Sequence, residues 1–258
     1  MEDRDFLQFI QNIKIRTGID LSYYKEPQMK RRLTSLRLRR GYQDFASFYQ
    51  ALRKNRELYD EFLDRMTINV SEFFRNQDRW KALEDNILPR LHVRNKSLKC
   101  WSAACSTGEE PYSLAMILTK HGLLDHAEIL ATDIDNHALE KARQGVYSER
   151  AVQSVPGDFY HAFFKKEGNT SIISARLREK VQFQKHNLLA DPYGSDFDLI
   201  ICRNVMIYFT EEAKQKLYNQ FSKALRPGGI LFVGILEQIF RPQQYELEPI
   251  DTFFYRKV

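Results

Sequence analysis

The spacing of apolar residues divides the chain into two parts. Over about the first 90 residues the apolar positions recur every three or four residues, which is the spacing of amphipathic helices. Gly18 is predicted to end the first helix, Pro27 and Gly41 frame the second, and Asp44 caps the third. A fourth helix follows at residues 58–66. We therefore predict an all-α N-terminal domain of about four helices.

After residue 92 the pattern changes to short apolar runs that alternate with helical stretches. The predicted strands are the segments LKCWS, EILATDI, VQFQKHNL, FDLIICRNV, GGILFVG and FFYRKV. Their apolar residues do not alternate with polar ones, which indicates a parallel sheet covered by helices on both faces. The fold class is therefore α/β, with ligands expected outside the carboxyl ends of the strands.

The predicted divisions are a helical domain over residues 1–76, a linker helix over 77–92 and a sheet domain over 93–258. One stretch of the sheet domain, at about 147–180, is too long for a simple connection in such a fold. Its segment SIISARL has the composition of a strand. We predict an inserted β-subdomain here.

Composition limits the class of protein. The chain has 258 residues and is 43% hydrophobic, which is enough for a substantial core, and it has no run of about 18 apolar residues that could span a membrane. The start, MEDRDFLQF, lacks the features of a signal peptide. Three cysteines without CxxC spacing are expected to be reduced thiols rather than a disulfide or metal framework. A cytoplasmic protein is expected, with no metal site.

The net charge of +5 is concentrated in the second predicted helix and the residues around it. The basic residues there are Lys25, Lys30, Arg31, Arg32, Arg37, Arg39 and Arg40. Such a surface indicates an anionic partner, which could be nucleic acid, an acidic protein or a lipid headgroup. The alternative is an ordinary solvated helix face.

The turn WSAACSTGEEPYS joins the first predicted strand to the next helix. Its small residues allow backbone amides to approach a ligand, but Gly108 is its only glycine, so the GxGxxG fingerprint of dinucleotide binding is missing. Glu109 and Glu110 would repel phosphate and suit a cationic ligand such as a sulfonium amino acid. Alternatively, they complement the helix dipole as acids of the first turn.

Two later segments add candidate ligands for a nucleoside. Asp133 ends the second predicted strand, where an acid accepts hydrogen bonds from both ribose hydroxyls. Capping of the next helix is the alternative role, and it suits Asp135 better than Asp133. Asn187 follows the third predicted strand, where its amide could contact an adenine edge. The RPGG segment, Arg226–Gly229, is expected to form a turn.

The segment WSAACSTGEEPYSLAM resembles the CheR family of chemotaxis-receptor glutamate methyltransferases. NVSEFFRNQDRW, TDIDNHALEKAR, HNLL, CRNVMIYF and LRPGG occur in the family's order and approximate spacing, so the resemblance covers essentially the whole chain. It implies a class I S-adenosylmethionine-dependent methyltransferase domain, Rossmann-like with a mostly parallel sheet, together with a helical N-terminal domain and a small inserted β-subdomain.

The resemblance also implies roles for individual residues. Asn69, Ser71 and Arg75 would close over S-adenosylmethionine from the loop between the domains. Glu109 would bind its amino end and Asp133 its ribose, Asn187 and Leu188 would line the adenine pocket, and Arg203 and Asn204 would lie near the methyl-transfer centre. Ser71 replaces a threonine common in the family and keeps the hydroxyl. S-adenosylhomocysteine would be the product.

A role at the reaction centre is predicted for two residues of the CRNVMIYF segment. A glutamate carboxylate is already ionised at neutral pH, so the reaction requires no general base. Arg75 or Arg203 could bind that carboxylate, and Tyr208 could line the reaction centre, although most aromatic residues in such runs pack in a core. The expected catalytic residues are therefore Tyr208 and Arg203.

The implied partner is the helical cytoplasmic region of methyl-accepting chemotaxis receptors. The basic helix, with Arg31, Arg32, Arg37, Arg39 and Arg40, would face the acidic methylation helices. Neither nucleic acid nor membrane insertion is expected, and the protein is expected to be a monomer. The alternatives are a nucleic-acid methyltransferase, for which a DPPY- or NPPY-like motif is missing, and a non-catalytic adaptor that only binds receptors.

Overall fold

The computed structural model describes residues 2–67, 71–92 and 97–258. Four helices form its N-terminal part: α1 (Glu2–Thr17), α2 (Glu26–Arg39), α3 (Phe45–Lys54) and α4 (Arg56–Thr67). The predicted limits are confirmed: Gly18 follows α1 at a positive φ of 73°, and the Asp44 carboxylate accepts a hydrogen bond from the backbone N–H of Ser47. Phe9 packs within 6.5 Å of Phe6, Phe45, Phe48, Tyr49 and Phe62 between ring centroids, so aromatic rings fill the interior of this layer.

The predicted linker is a continuous helical run that contains a π-helical turn. It consists of α5 (Gln77–Ala82), the π-turn Leu83–Ile87 and α6 (Leu88–His92). Trp80 of this run lies against Phe232 of the sheet, with ring centroids 6.0 Å apart. The run therefore belongs to the helical layer on one face of the sheet. Where the domains divide stays a prediction.

The second part of the chain is built on a seven-stranded sheet. Its strands are β1 (Leu98–Ala103), β2 (Ala127–Asp133), β6 (Val181–Lys185), β7 (Phe197–Cys202), β8 (Leu225–Val233), β9 (Leu247–Asp251) and β10 (Phe254–Lys257). They are ordered β6-β2-β1-β7-β8-β10-β9 across the sheet. The first five run parallel and β10 is antiparallel to both of its neighbours, so the predicted parallel α/β sheet is confirmed.

Helices cover both faces of this sheet. They are α7 (Glu109–Lys120), α8 (Asn136–Gln144) and α11 (Glu211–Ala224). Residues of α5, α7 and α8 form one buried cluster with the sheet, whereas α11 shares the other cluster with the N-terminal helices. The helical layer and the sheet domain therefore share a core on that face. In the described part of the chain, every helix is too short or too polar to cross a membrane.

The insertion contains the predicted small sheet, of three antiparallel strands in the order β3-β5-β4. Its elements are β3 (Val146–Ser148), α9 (Gly157–Phe163), β4 (Phe164–Glu167), β5 (Thr170–Ile173) and α10 (Ala175–Lys180). Only the first half of SIISARL is a strand. Its second half begins α10 and buries Leu177, so the strand character of the segment belongs to its first half alone.

Two further differences concern the end of the chain. The RPGG segment forms the irregular start of β8 rather than a turn, and a side chain at Gly229 would lie 2.7 Å from the Phe197 carbonyl oxygen. Strand β9 was not predicted, because its sequence LEPID contains a proline and few apolar residues. The cysteines Cys100, Cys105 and Cys202 are buried and unbridged, as predicted.

Candidate functional site

A cavity of about 960 Å³, including the part that opens to solvent, lies at the carboxyl ends of β1, β2, β6 and β7. Counted within the large sheet alone, the strand order is 3-2-1-4-5-7-6, so the order reverses between β1 and β7, where ligands bind in such sheets. The cavity is lined by Tyr24, Met66, Thr67, Ser71, Glu72, Arg75, Ala104, Cys105, Ser106, Glu110, Asp133, Ile134, His186, Asn187, Leu188, Leu189, Arg203, Asn204, Val205, Tyr208 and Phe209. The N-terminal helical layer thus contributes part of its wall.

Asp133, at the end of β2, is a buried carboxylate on this wall. It is only 6% exposed, and it accepts hydrogen bonds from the backbone N–H groups of Ser106 (2.8 Å) and Asp135 (2.9 Å). Burial raises its pKa to about 6 despite these bonds. Asp135 caps α8 by accepting from the His137 N–H at 2.8 Å, which confirms the capping role predicted for it, while the ligand role of Asp133 stays a prediction.

The turn between β1 and α7 separates its two glutamates. The Glu109 carboxylate accepts hydrogen bonds from the hydroxyl groups of Thr107 (2.8 and 2.7 Å) and Ser71, whereas Glu110 lines the cavity and accepts from Ser102 Oγ at 2.8 Å. Burial raises the pKa of Glu110 to about 7. The assignment of the ligand-facing role to Glu109 is corrected, because successive residues of a helix point about 100° apart and only Glu110 is directed at the cavity.

Gly108 allows this turn to close. Its φ is +93°, and a side chain there would approach Ala142 Cβ to 2.9 Å and the Tyr147 hydroxyl to 3.2 Å. Ala104 and Ser106 also have positive φ, of 64° and 50°. Such conformations cost energy in residues with side chains, and they cluster where the surroundings determine them, often at functional sites.

Arg203 lines the cavity and also fixes the segment that leads from the helical layer to the sheet. Its guanidinium donates to the carbonyl of Arg75 (2.8 Å) and to Asn76 Oδ1 (2.9 Å), and lies 3.8 Å from the Glu110 carboxylate. It also covers the ring of Phe232 at 4.6 Å from the centroid. Burial lowers the pKa of this guanidinium. The described hydrogen bonds of Arg203 are thus directed at Arg75 and Asn76, in the segment that joins the helical layer to the sheet.

The loop after β7 carries Asn204 and Tyr208 at the cavity. Tyr208 belongs to a 3₁₀ turn, Met206–Tyr208, rather than to the strand itself, and the Arg32 guanidinium lies 4.9 Å from its ring centroid. The Tyr208 carbonyl accepts from the Lys25 N–H at 2.8 Å, and the Thr210 N–H donates to the Tyr23 carbonyl at 2.8 Å. A short β-bridge therefore joins this loop to the segment just before α2.

The remaining predicted ligands follow β6 or belong to the segment that joins the helical layer to the sheet. Asn187 and Leu188 line the cavity, and Asn187 Oδ1 accepts from the Leu189 N–H at 3.0 Å. Ser71 and Arg75 also line it. Asn69 lies outside the described residues. The structure thus brings together eight of the predicted residues: Ser71, Arg75, Asp133, Asn187, Leu188, Arg203, Asn204 and Tyr208.

The arginines of α2 do not form one uniform basic face. Arg37 is only 4% exposed, donates to the carbonyl groups of Tyr42 and Gln43, and covers the Phe45 ring at 4.8 Å. Its prediction as a substrate-binding residue was wrong, because its position in the helix directs it into the helical layer.

The other predicted arginines of this helix are accessible to different degrees. Arg39 and Arg40 pair with Glu61 at 2.8 and 2.7 Å, while Arg31 is exposed and Arg32 is partly buried beside Tyr208.

Two residues in or near the site were not predicted from the sequence. Tyr24 comes from a segment without a motif, and burial together with the Asp133 charge raises the pKa of its hydroxyl. Glu237 does not line the cavity, but it binds the loop that carries Asn204. Neither residue lies in a patterned segment, and only the fold brings them to the site.

Over most of its length, the chain is similar to known proteins of one family. Residues 4–67 match the family model described as the CheR methyltransferase all-alpha domain, and residues 69–254 match the CheR methyltransferase SAM binding domain. A chemotaxis protein methyltransferase of Listeria monocytogenes is 45% identical over 256 residues, which cover 99% of this chain and 98% of the relative. Proteins of the same description from Escherichia coli and Borreliella burgdorferi are each 34% identical and cover 91% and 86% of this chain, and 84% and 83% of their own lengths.

The fold and the cavity are those of an S-adenosylmethionine-dependent methyltransferase with a Rossmann-like sheet, as the sequence predicted. The chain belongs to the CheR methyltransferase family. It is therefore a methyltransferase of the chemotaxis type.

Proposed function

We propose that this protein transfers methyl groups from S-adenosylmethionine to glutamate side chains of chemotaxis receptors. The observation that carries the proposal is the charge arrangement at the strand ends. Two carboxylates with raised pKa, on the buried Asp133 and the partly buried Glu110, face a cavity that Arg75 also lines. A ligand that carries positive charge together with a carboxylate of its own would complement this arrangement.

The residues present fit S-adenosylmethionine. Burial of Asp133 and Glu110 without a ligand is costly, and a ligand with a positive charge and several hydroxyl donors would offset that cost. Asp133 would accept from the ribose hydroxyls, and Asn187 and Leu188 would contact the adenine. Glu110 would bind the amino group in place of Glu109, and Arg75 the carboxylate of the methionine end.

The bound cofactor supplies a methyl group on a positively charged sulfur. The protein's contribution is to bind, to orient and to exclude water. The acceptor glutamate has a reference pKa of about 4.3, so it enters as a carboxylate nucleophile and no protein base is required. Asn204 and Tyr208 would hold this carboxylate in line, where reacting atoms must lie about 3 Å apart. Arg203 would hold Arg75 and Asn76 in place through its hydrogen bonds to them.

Tyr208 is assigned to the reaction centre because it lines the cavity next to α2. The Arg32 guanidinium of α2 lies 4.9 Å from the centroid of its ring, so a positive charge adjoins the residue. We expect Tyr208→Phe to lower kcat about tenfold while the dissociation constant of S-adenosylmethionine changes less than twofold. Unaltered turnover would remove Tyr208 from the mechanism.

The proposed partner is the cytoplasmic helical region of a receptor, which places the enzyme in the cytoplasm. The exposed Arg31 and the partly buried Arg32 on α2 would contact the acidic methylation helix. Membership in the CheR family favours such a protein substrate over nucleic acid.

The deciding experiment is transfer of labelled methyl from S-adenosylmethionine to receptor-containing membranes. We expect label on the receptor that is released as methanol by mild base, which identifies a carboxyl ester. Receptors whose methylation glutamates are replaced by alanine serve as the control. Incorporation that is base-stable, or equal in the control, would refute the proposal.

A further inference from the structure

Glu237 is a buried acid that the proposed mechanism does not use. It is 2% exposed and lies after β8. The backbone N–H of Glu237 donates to the Gly234 carbonyl at 2.9 Å, which closes a turn. Because an isolated buried carboxylate is strongly unfavourable, its partners show what it does in the fold.

Those partners are main-chain N–H groups of the loop that reaches the cavity. One carboxylate oxygen accepts from the N–H of Asn204 at 2.7 Å, and the other accepts from the N–H of Ile207 at 3.3 Å. The Gly234 N–H donates at 2.9 Å to the same oxygen as Asn204. One carboxylate thus binds both ends of the segment from Asn204 to Ile207.

This segment begins with a residue in an uncommon backbone conformation, which the hydrogen bonds to Glu237 hold in place. Asn204 has a φ of +60°, in the left-handed region that few residues other than glycine and asparagine adopt. The turn opposite is shaped to admit the carboxylate, since a side chain at Gly234 would lie 2.4 Å from Glu237 Oε2 and 2.9 Å from the Asn204 nitrogen. Only glycine leaves room for the acid to reach the loop.

The supported loop presents Asn204, Val205 and Tyr208 to the cavity, whereas Glu237 itself does not line it. We infer that Glu237 is a positioning residue for methyl transfer, which fixes the loop of Asn204 and Tyr208 in the geometry that the acceptor carboxylate requires. This inference rests on the proposed function and adds a residue to its site. Glu237 acts through the loop and touches neither cofactor nor acceptor.

The test is the variant Glu237→Gln, which keeps the size of the side chain but replaces one acceptor oxygen with a donor facing main-chain N–H groups. We expect kcat for receptor methylation to fall about 30-fold, since small displacements of reacting groups have large effects on rate. The dissociation constant of S-adenosylmethionine should change less than threefold. Both kcat and the dissociation constant should be measured at a temperature at which circular dichroism shows that each variant is fully folded.

Two further variants make the test specific. Gly234→Ala inserts a methyl group between Glu237 and Asn204 and should reproduce the loss of kcat. Gln238→Ala, at an exposed neighbour in the same turn, should leave kcat unchanged. Hydrogen exchange of amides 204–207 should accelerate in Glu237→Gln, while exchange in β7 stays slow. Unchanged kcat, or a fall in kcat matched by an equal loss of cofactor affinity, would overturn the inference.

The exchange experiment also separates this inference from the proposed function. If the unmodified protein does not methylate receptors, the proposed function fails. Amide exchange then still reports whether Glu237 fixes the loop, and unchanged exchange in Glu237→Gln would refute that role as well.

Discussion

The cavity and the helix α2 hold charged groups in two different ways. At the cavity, Asp133 and Glu110 are largely buried, and each accepts hydrogen bonds from fixed donors of the protein. On α2, Arg31 is exposed and Arg39 pairs with Glu61 on the surface. The first set is preorganised at an energetic cost, and the second is adaptable and screened by salt.

The difference indicates which kind of ligand each region recognises. A small cofactor of constant structure is best bound by groups that do not move, whereas an acidic helix that presents several glutamates in turn suits mobile charges. Substitutions at the cavity should therefore change affinity strongly without dependence on salt. Substitutions on α2 should have smaller, salt-dependent effects.

The largest effect is expected at Asp133. Asp133→Asn should weaken S-adenosylmethionine binding about 100-fold, because a charged acceptor of two ribose hydroxyls is lost. The free protein should not gain stability although a buried charge is removed, because the amide cannot accept hydrogen bonds from both the Ser106 and the Asp135 N–H groups. Calorimetric titration and thermal unfolding measure both quantities. Asp135→Asn, which retains a capping side chain, is the matched control and should bind normally.

The two glutamates of the turn provide the next comparison. Glu110→Gln should weaken S-adenosylmethionine binding about 10- to 30-fold, because the charge facing the cavity is lost. Glu109→Gln should change affinity less than threefold and instead lower the free energy of unfolding, since Glu109 accepts from Thr107 and Ser71. The opposite ranking would restore the ligand role predicted for Glu109.

The raised pKa values predict how pH acts on the cavity. Between about pH 5.5 and 8 the Glu110 and Asp133 carboxyls ionise, since their pKa values are about 7 and about 6. Affinity for the cationic cofactor should therefore rise about tenfold over this interval. Both values are raised above those of the unfolded chain, so the stability that these groups contribute to the ligand-free protein is lost as pH rises through them. Melting with and without S-adenosylmethionine should show the two opposite trends, and parallel trends would contradict them.

The smallest effect is expected on α2. Arg31→Glu should raise KM for receptor about threefold to tenfold at low salt, and the difference should shrink at high salt. Arg39→Glu, at a residue already paired with Glu61, should change KM less. Initial rates at several salt concentrations measure this, with the S-adenosylmethionine affinity of both variants as the control. Equal effects at all salt concentrations would show that α2 does not act through charge.

Regular patterns made much of the fold predictable. The helical spacing of the first 67 residues, the caps and the buried strands all depend on local sequence, and the structure confirms them. Strand β9 escaped prediction because its stability comes from pairing with β10 at the sheet edge rather than from its own composition.

The site was predictable to the extent that its residues follow strands. Asp133, Asn187 and Arg203 do so, since strand ends of a parallel sheet meet at one edge. The choice between Glu109 and Glu110 depended on a rotation about the α7 axis, which adjacent positions in a motif do not specify. The prediction for Arg37 was wrong for a related reason. A cluster of charges in the sequence does not show which of the side chains the helix directs inward.

The β-bridge between Tyr23–Lys25 and Tyr208–Thr210 has a consequence for how this molecule could be divided. Helix α2 begins directly after the bridge, so backbone hydrogen bonds join the surface proposed to face the receptor to the loop that carries Tyr208. The N-terminal helices are therefore held against one side of the cavity by backbone hydrogen bonds. A sheet domain expressed without them would lose the backbone partner of Tyr208 together with its docking surface.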